Sequence, residues 1–302
     1  MTSRPRGVDV ALIVVTGIGW GMLAPATKGL FAAEPAAFDG ISVAASRGVW
    51  ALPVFAAMLA WTWTRERPIV APARLAAIAG AGLAFGLGIT IIFSVAAMFT
   101  SIAHLSFLIG SSPVTNSLGA ALVFRLPISR RERIALVLGL AGVTLLAASL
   151  TGGTAGLFGD GLMVLWLVCF AGYAVLLRYG GAGLSSLFVM SIVGVVAMGS
   201  VVLVSLAIPG ALHGAAHVAD TPVTAGWFFG EIVFGSTLVA QIAYASAVRR
   251  FGVAVATIGA EYTALTVGIT YSLFVHESWS WLTVVAGLLL IAALSVTFVP
   301  RR

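Results

Sequence analysis

Eight side chains with usable chemistry stand inside otherwise apolar stretches of this chain. Arg47, Glu231 and Glu261 are ionisable, Ser112 and Asn116 share a helical face at i and i+4, and Trp20, Tyr173 and Tyr262 join an apolar ring to a polar tip. A carboxylate can accept an ammonium or carry a proton. A guanidinium, with hydroxyl and amide groups beside it, can hold a carboxylate. An aromatic face can stack on an apolar or aromatic solute. This is equipment for recognising a small charged solute. It is not equipment for catalysis: the chain has no Walker loop, no zinc-spaced His/Cys cluster and no Ser/His/Asp arrangement. The single cysteine, Cys169, provides neither an internal disulfide nor a metal site. No enzyme activity, no cofactor, no metal and no ATP-driven pumping within the chain are expected.

The elements that must position these groups are ten apolar stretches, at 10–31, 40–62, 75–99, 101–124, 132–150, 158–179, 185–208, 225–248, 253–275 and 279–299. A run of about 20 apolar residues spans about 30 Å of hydrocarbon as a helix. Charged residues make up 9% of the chain and the mean hydropathy is +1.10, against about 25% charged in soluble domains. The expectation is an all-α integral membrane protein of ten transmembrane helices. The connections are short and the longest, 209–224, is too short for a further domain. The first stretch lacks a small-residue cleavage site and reads as a retained helix.

The net charge of +6 is explained by topology rather than by nucleic acid. Arg4, Arg6, Arg65, Arg67, Arg74, Arg125, Arg130, Arg131, Arg133, Arg178, Arg249, Arg250, Arg301 and Arg302 all fall at alternate helix ends, which makes 14 of the 16 basic residues. The positive-inside rule then places both termini in the cytoplasm of a multi-pass protein of the bacterial inner membrane.

Shifting the chain by 149 residues carries Phe85-Gly86 onto Phe234-Gly235, Ala96 onto Ala245, Ile109-Gly110 onto Ile258-Gly259 and Gly119 onto Gly268. Two units follow, 1–151 and 152–302, each of five helices. An odd number of crossings forces the second unit to enter from the opposite face, which is an inverted repeat. Such repeats build alternating-access transporters with a midplane site at the repeat interface, so a central cavity is expected there.

Depth then sorts the polar groups. Arg47 and Glu231 both lie about 10 Å inside the same membrane face, counted at 1.5 Å per residue, so they can form a buried ion pair or bind solute. Lys28 and His104 are shallower on that face. Lys28 can snorkel to the interface, and His104 can be a hydrogen-bonded structural residue or a proton carrier. Glu261 falls on Ser112 under the 149-residue shift and lies deeper, where it can receive an ammonium or a coupling proton, or simply join two helices. Pro113 removes a backbone donor and frees a carbonyl near Ile109, so a kink or hinge is expected there. Gln241 and Tyr244 are neighbours on helix 8. Trp61, Trp63, Trp279 and Trp281 end spans and read as interfacial anchors. Trp20 and Tyr173, on the first helices of the two units, are the aromatic residues best placed to line a cavity; plain packing is the alternative for each.

With these residues in view, the chain resembles the drug/metabolite transporter superfamily, in its ten-helix EamA-type branch. Helix 1 carries GIGWGMLAPATKGL, with Trp20, Gly21 and Lys28; helix 2 carries ASRGVWALP, with Arg47; helix 4 carries LIGSSPVTNSLGAAL, with Pro113. Helix 9 reads IGAEYTAL, where Glu261 matches the usual Glu-Pro and Tyr262 replaces the proline. His276-Glu277 is similar to the Gly-Glu before helix 10. Within the branch the chain looks most like YddG-type amino-acid exporters. The resemblance implies two five-helix bundles around a central cavity that move an amino acid-like solute, with lipid as surroundings, a proton as the candidate coupling ion and a monomer as the working unit. Export of amino acids, including neutral and aromatic ones, or of related metabolites is the expected function. A lipophilic-cation exporter is the alternative, although helix 1 lacks the acid that small multidrug members place there. A sugar-phosphate or nucleotide-sugar exchanger is a second, although Arg47 and Lys28 are few cations for a phosphate. A membrane enzyme would need clustered catalytic groups that the chain lacks.

Overall fold

The computed structural model describes residues 7–125, 128–149, 153–220, 222–251 and 253–298. Every regular element among them is helical. In chain order these are α1 (Gly7–Ala33), α2 (Gly40–Glu66), α3 (Pro72–Leu83), α4 (Ile92–Phe99), α5 (Ile102–Gly110), α6 (Ser112–Phe124), α7 (Arg130–Ala148), α8 (Gly153–Gly181), α9 (Ser186–Leu206), α10 (His213–His217), α11 (Val223–Gly230), α12 (Ala240–Phe251), α13 (Val253–Phe274) and α14 (Trp281–Phe298). Two π-helical segments, Ala84–Ile91 and Glu231–Val239, join α3 to α4 and α11 to α12 without breaking the rod. Among the described residues six helices are long and apolar enough to cross a bilayer: Val10–Ala33, Gly40–Glu66, Pro72–Phe99, Thr154–Gly181, Ser186–Leu206 and Val223–Ala247. The N-terminal Arg4 and Arg6, the C-terminal Arg301 and Arg302 and the boundary at residues 151–152 lie outside the described residues.

Local signals in the sequence account for the helix ends. Asp39 caps α2 by accepting from the Ser42 amide at 2.7 Å, while Ser42 Oγ accepts from the Asp39 amide, a reciprocal box that satisfies two orphan donors. Ser129 and Glu132 form the same box at the start of α7. Ser101 and Ser185 cap α5 and α9. The end of α13 closes as a Schellman motif: the Glu277 amide donates to the Ser272 carbonyl and the His276 amide to that of Leu273, with His276 left-handed at φ 55°.

The expected single helix over 101–124 is two helices. It breaks at Ser111, where Pro113 enters the first turn of α6 and cannot donate to the preceding turn. The corresponding stretch, α13, has Tyr262 instead of proline and continues unbroken to Phe274. Packing brings α1 against α13, α2 against α9, and α7 against α14. It also brings α8 against α3, α4, α6 and the first π segment, and α1 against α12 and the second π segment. Small residues allow these approaches. A Cβ on Gly21 would stand 2.6 Å from the Ala264 carbonyl oxygen, and one on Gly86 would stand 2.3 Å from that of Ala197. Outward-facing Val, Leu and Phe, such as Val137, Leu140, Val168 and Leu203, give the bundle an apolar exterior suited to acyl chains.

Candidate functional site

Two cavities lie along α8. The smaller, of about 40 Å³, is walled by Trp20 and Leu23 of α1, Arg47 of α2, Phe85 and Ile89 of the first π segment, Phe93 and Ile109, Trp166 and Phe170 of α8, Ser236 of the second π segment, Gln241 and Glu261. Seven separate rods therefore converge on one space. The larger, of about 330 Å³, is lined by Phe170, Tyr173, Leu177, Arg178, Met190 and Tyr244 among others, and reaches the α8–α9 connection at Gly181, Leu184 and Ser186. Phe170 lines both cavities. Tyr244, in the wall of the larger, stacks obliquely on Trp20 of the smaller, with ring centroids 4.9 Å apart. Trp20, Arg47 and Glu261, expected around a central cavity, all line the smaller one. Tyr173 belongs to the neighbouring cavity, its ring against Phe85 and Phe170.

Arg47 and Glu261 are buried, with 3% and 1% of their surface exposed. Arg47 Nε donates to Thr237 Oγ1 at 3.1 Å, and Thr237 Oγ1 donates to the Ile232 carbonyl five residues back inside the second π segment. The wider π turn thereby presents a hydroxyl to the guanidinium. Glu261 Oε1 accepts from Ser112 Oγ at 2.8 Å, across the break between α5 and α6, while Glu261 Oε2 is buried with no partner. Arg47 and Glu261 face one cavity without an ion pair between them. Two further buried atoms of the same walls lack partners, Trp166 Nε1 and Gln241 Oε1.

The possible ion pair of Arg47 with Glu231 does not form. Arg47 turns to Thr237, and the Glu231 carboxylate folds back on its own helix, against Gly235, with Oε1 unpartnered. Its helix continues as a π turn from that residue, and this sets the direction of its side chain. Tyr262 points away from the cavity and hydrogen-bonds Ser295 of α14. Asn116 Oδ1 is buried and unpartnered but lines neither cavity. Pro113 stands at the break between α5 and α6.

The end remote from the larger cavity is tied by polar contacts. His104 Nδ1 lies 2.8 Å from Asp160 Oδ2 and its Nε2 lies 3.1 Å from Ser149 Oγ, while Thr100 donates to the other Asp160 oxygen. Glu277 accepts from the Ile102 and Ala103 amides at the start of α5, at 2.8 and 2.9 Å, and Lys28 lies within its electrostatic reach. His104 is therefore a hydrogen-bonded residue of this tie. Trp279, expected as an interfacial anchor, is half-buried; it packs edge-on against Phe107 and donates to Ser272. Asp160 was not among the residues singled out from sequence, nor were Trp166 and Phe170. The signals were present: a lone acid opening an apolar stretch, and Trp166, Phe170 and Tyr173 at i, i+4 and i+7 on one helix face.

No family model matches the chain, and no curated protein matches it. A solved structure described as "Crystal structure of protein" is similar to it over 97% of both chains, at 16% identity and a TM-score of 0.59. That likeness is one of fold.

Proposed function

We propose that this chain is a secondary transporter of the inner membrane that exports amino acids, or closely related small metabolites, by alternating access. The observation that carries the reading is the placement of Arg47 and Glu261, opposite in charge and buried in the wall of one cavity without an ion pair between them. Two buried charges left apart cost several kcal/mol, of the order met when a buried pair is broken. A zwitterion repays that cost, its ammonium on Glu261 Oε2 and its carboxylate on Arg47. Uncharged or singly charged solutes meet only half of it.

Several features support an inverted repeat of ten crossings. Counting α3–α4, α5–α6 and α11–α12 as single rods, and leaving out the five-residue α10, gives ten among the described residues. Ser112 bonds the residue 149 positions away, which is the sequence shift itself; a residue that meets its own counterpart lies on the axis relating two copies. The same shift carries the π segment at 84–91 to 233–240, against Glu231–Val239 observed. It also exchanges the packing of α1 on α13 with that of α8 on α5 and α6, and leaves the pairs α2–α9 and α7–α14 in place. His276 occupies a left-handed position, the conformation glycine prefers, as the resemblance to an EamA-type Gly-Glu would have it. On the charge rule the larger cavity faces the cytoplasm, beside Arg178, and the opposite end is closed.

The test is efflux from liposomes loaded with one labelled amino acid at a time, with the pH gradient varied. Release of neutral amino acids is expected, with a loss of about 10- to 100-fold for Glu261→Gln, the scale of one charge-assisted hydrogen bond. A pH dependence present in the wild type and flattened in this variant would assign the coupling proton to Glu261. Absence of efflux for every amino acid, with movement of lipophilic cations or sugar phosphates instead, would overturn the reading.

A further inference from the structure

The zwitterion accounts for Arg47 and for Glu261 Oε2. It leaves Trp166 Nε1 and Gln241 Oε1, each on a side chain with 5% of its surface exposed, each without a partner, both in the wall of the same cavity. One is a donor only, the other an acceptor. A buried polar atom without a partner costs about 1–3 kcal/mol, so the pair is a standing demand for a group that can accept and donate at once. A hydroxyl is the smallest such group. With one O–H and two lone pairs it satisfies the Trp166 N–H and either end of the Gln241 amide. The remaining walls are rings and branched apolar chains: Trp20, Phe85, Ile89, Phe93 and Phe170.

Building on the transport reading above, we infer that Trp166 and Gln241 are specificity-determining residues that select a hydroxyl-bearing amino acid such as serine or threonine over its apolar isostere. Threonine and valine have nearly the same volume and differ by one hydroxyl. An apolar pocket separates such a pair poorly, whereas a site whose polar atoms go unmet by the wrong solute separates it strongly.

The experiment compares efflux of labelled threonine, valine, serine, alanine and phenylalanine from proteoliposomes of the wild type and of Trp166→Phe and Gln241→Leu. The wild type is expected to move threonine at least about tenfold more efficiently than valine, and serine likewise over alanine, as follows from losing one or two hydrogen bonds. Trp166→Phe is expected to bring the threonine-to-valine ratio close to one, and a ratio taken between two solutes in the same preparation separates this result from a loss of folded protein. The wild-type comparison needs no variant at all. Equal efflux of threonine and valine, or preferred efflux of phenylalanine, overturns this inference and leaves the amino-acid reading standing. No efflux of any amino acid overturns both.

Discussion

At the scale of single residues, the chemistry is governed by what each buried polar atom finds. Glu261 has one oxygen bonded to Ser112 and one open, so Ser112 fixes the carboxylate and aims the free oxygen. On the proposed transport function, Ser112→Ala should weaken efflux about fivefold through the half-saturating concentration, equivalent to about 1 kcal/mol for one hydrogen bond, with the maximal rate little changed; concentration-dependent efflux measures this. Asp160 stands in a different position. It holds His104 and Thr100 in a closed end and touches neither cavity. Asp160→Ala removes one member of a buried pair and should lower stability by about 3–5 kcal/mol, read as a fall in melting temperature in detergent. Charge in the sequence drew attention to Arg47, Glu231 and Glu261 alike. Only the direction of each side chain separates the two that share a cavity from Glu231, and that direction is a property of the π turn and of neighbouring helices.

At the scale of elements, helix ends and breaks were legible because their causes are local. Asp39, Ser129 and Ser185 cap helices through atoms two or three residues away, and Pro113 breaks one by its own missing donor. The turn after α13 shows a local conflict. His276 pays for a left-handed backbone so that Glu277 can reach the first amides of α5. His276→Gly should stabilise the protein by about 1 kcal/mol, the usual penalty of the left-handed region for a residue with a Cβ; chemical or thermal denaturation in detergent checks it. The π segments were not legible, since an apolar run such as AFGLGITI carries no mark that distinguishes an i+5 from an i+4 ladder.

At the scale of the whole molecule, one end is tied and the other holds the larger cavity. Asp160 and Arg178 are both on α8, 18 residues and so about 27 Å apart, nearly the thickness of the hydrocarbon. Access should therefore be one-sided in this conformation. A cysteine at Ser186, in the lining of the larger cavity, is expected to react with a membrane-impermeant thiol reagent only from the face that carries Arg178. A cysteine at the exposed Ala36, in the α1–α2 connection, should react only from the opposite face. Both readouts are made in Cys169→Ser protein, in inside-out and right-side-out vesicles. Labelling of both positions from one side would refute the one-sided arrangement.

Composition and periodicity determined the all-helical, apolar character of the chain, with helices long enough to cross a bilayer, and the approximate helix ends, and they singled out Arg47, Ser112 and Glu261 as polar groups inside apolar stretches. These follow from length, charge and local spacing, which the chain carries along itself. What shared a cavity was decided only in three dimensions. Trp166 and Gln241 joined Arg47 and Glu261, Glu231 and Tyr262 turned elsewhere, and Asp160 closed an end, because each outcome depends on how a helix is rotated about its own axis. In a chain that is apolar nearly all round, that rotation is set by the packing of small residues between helices and is not written in any one helix.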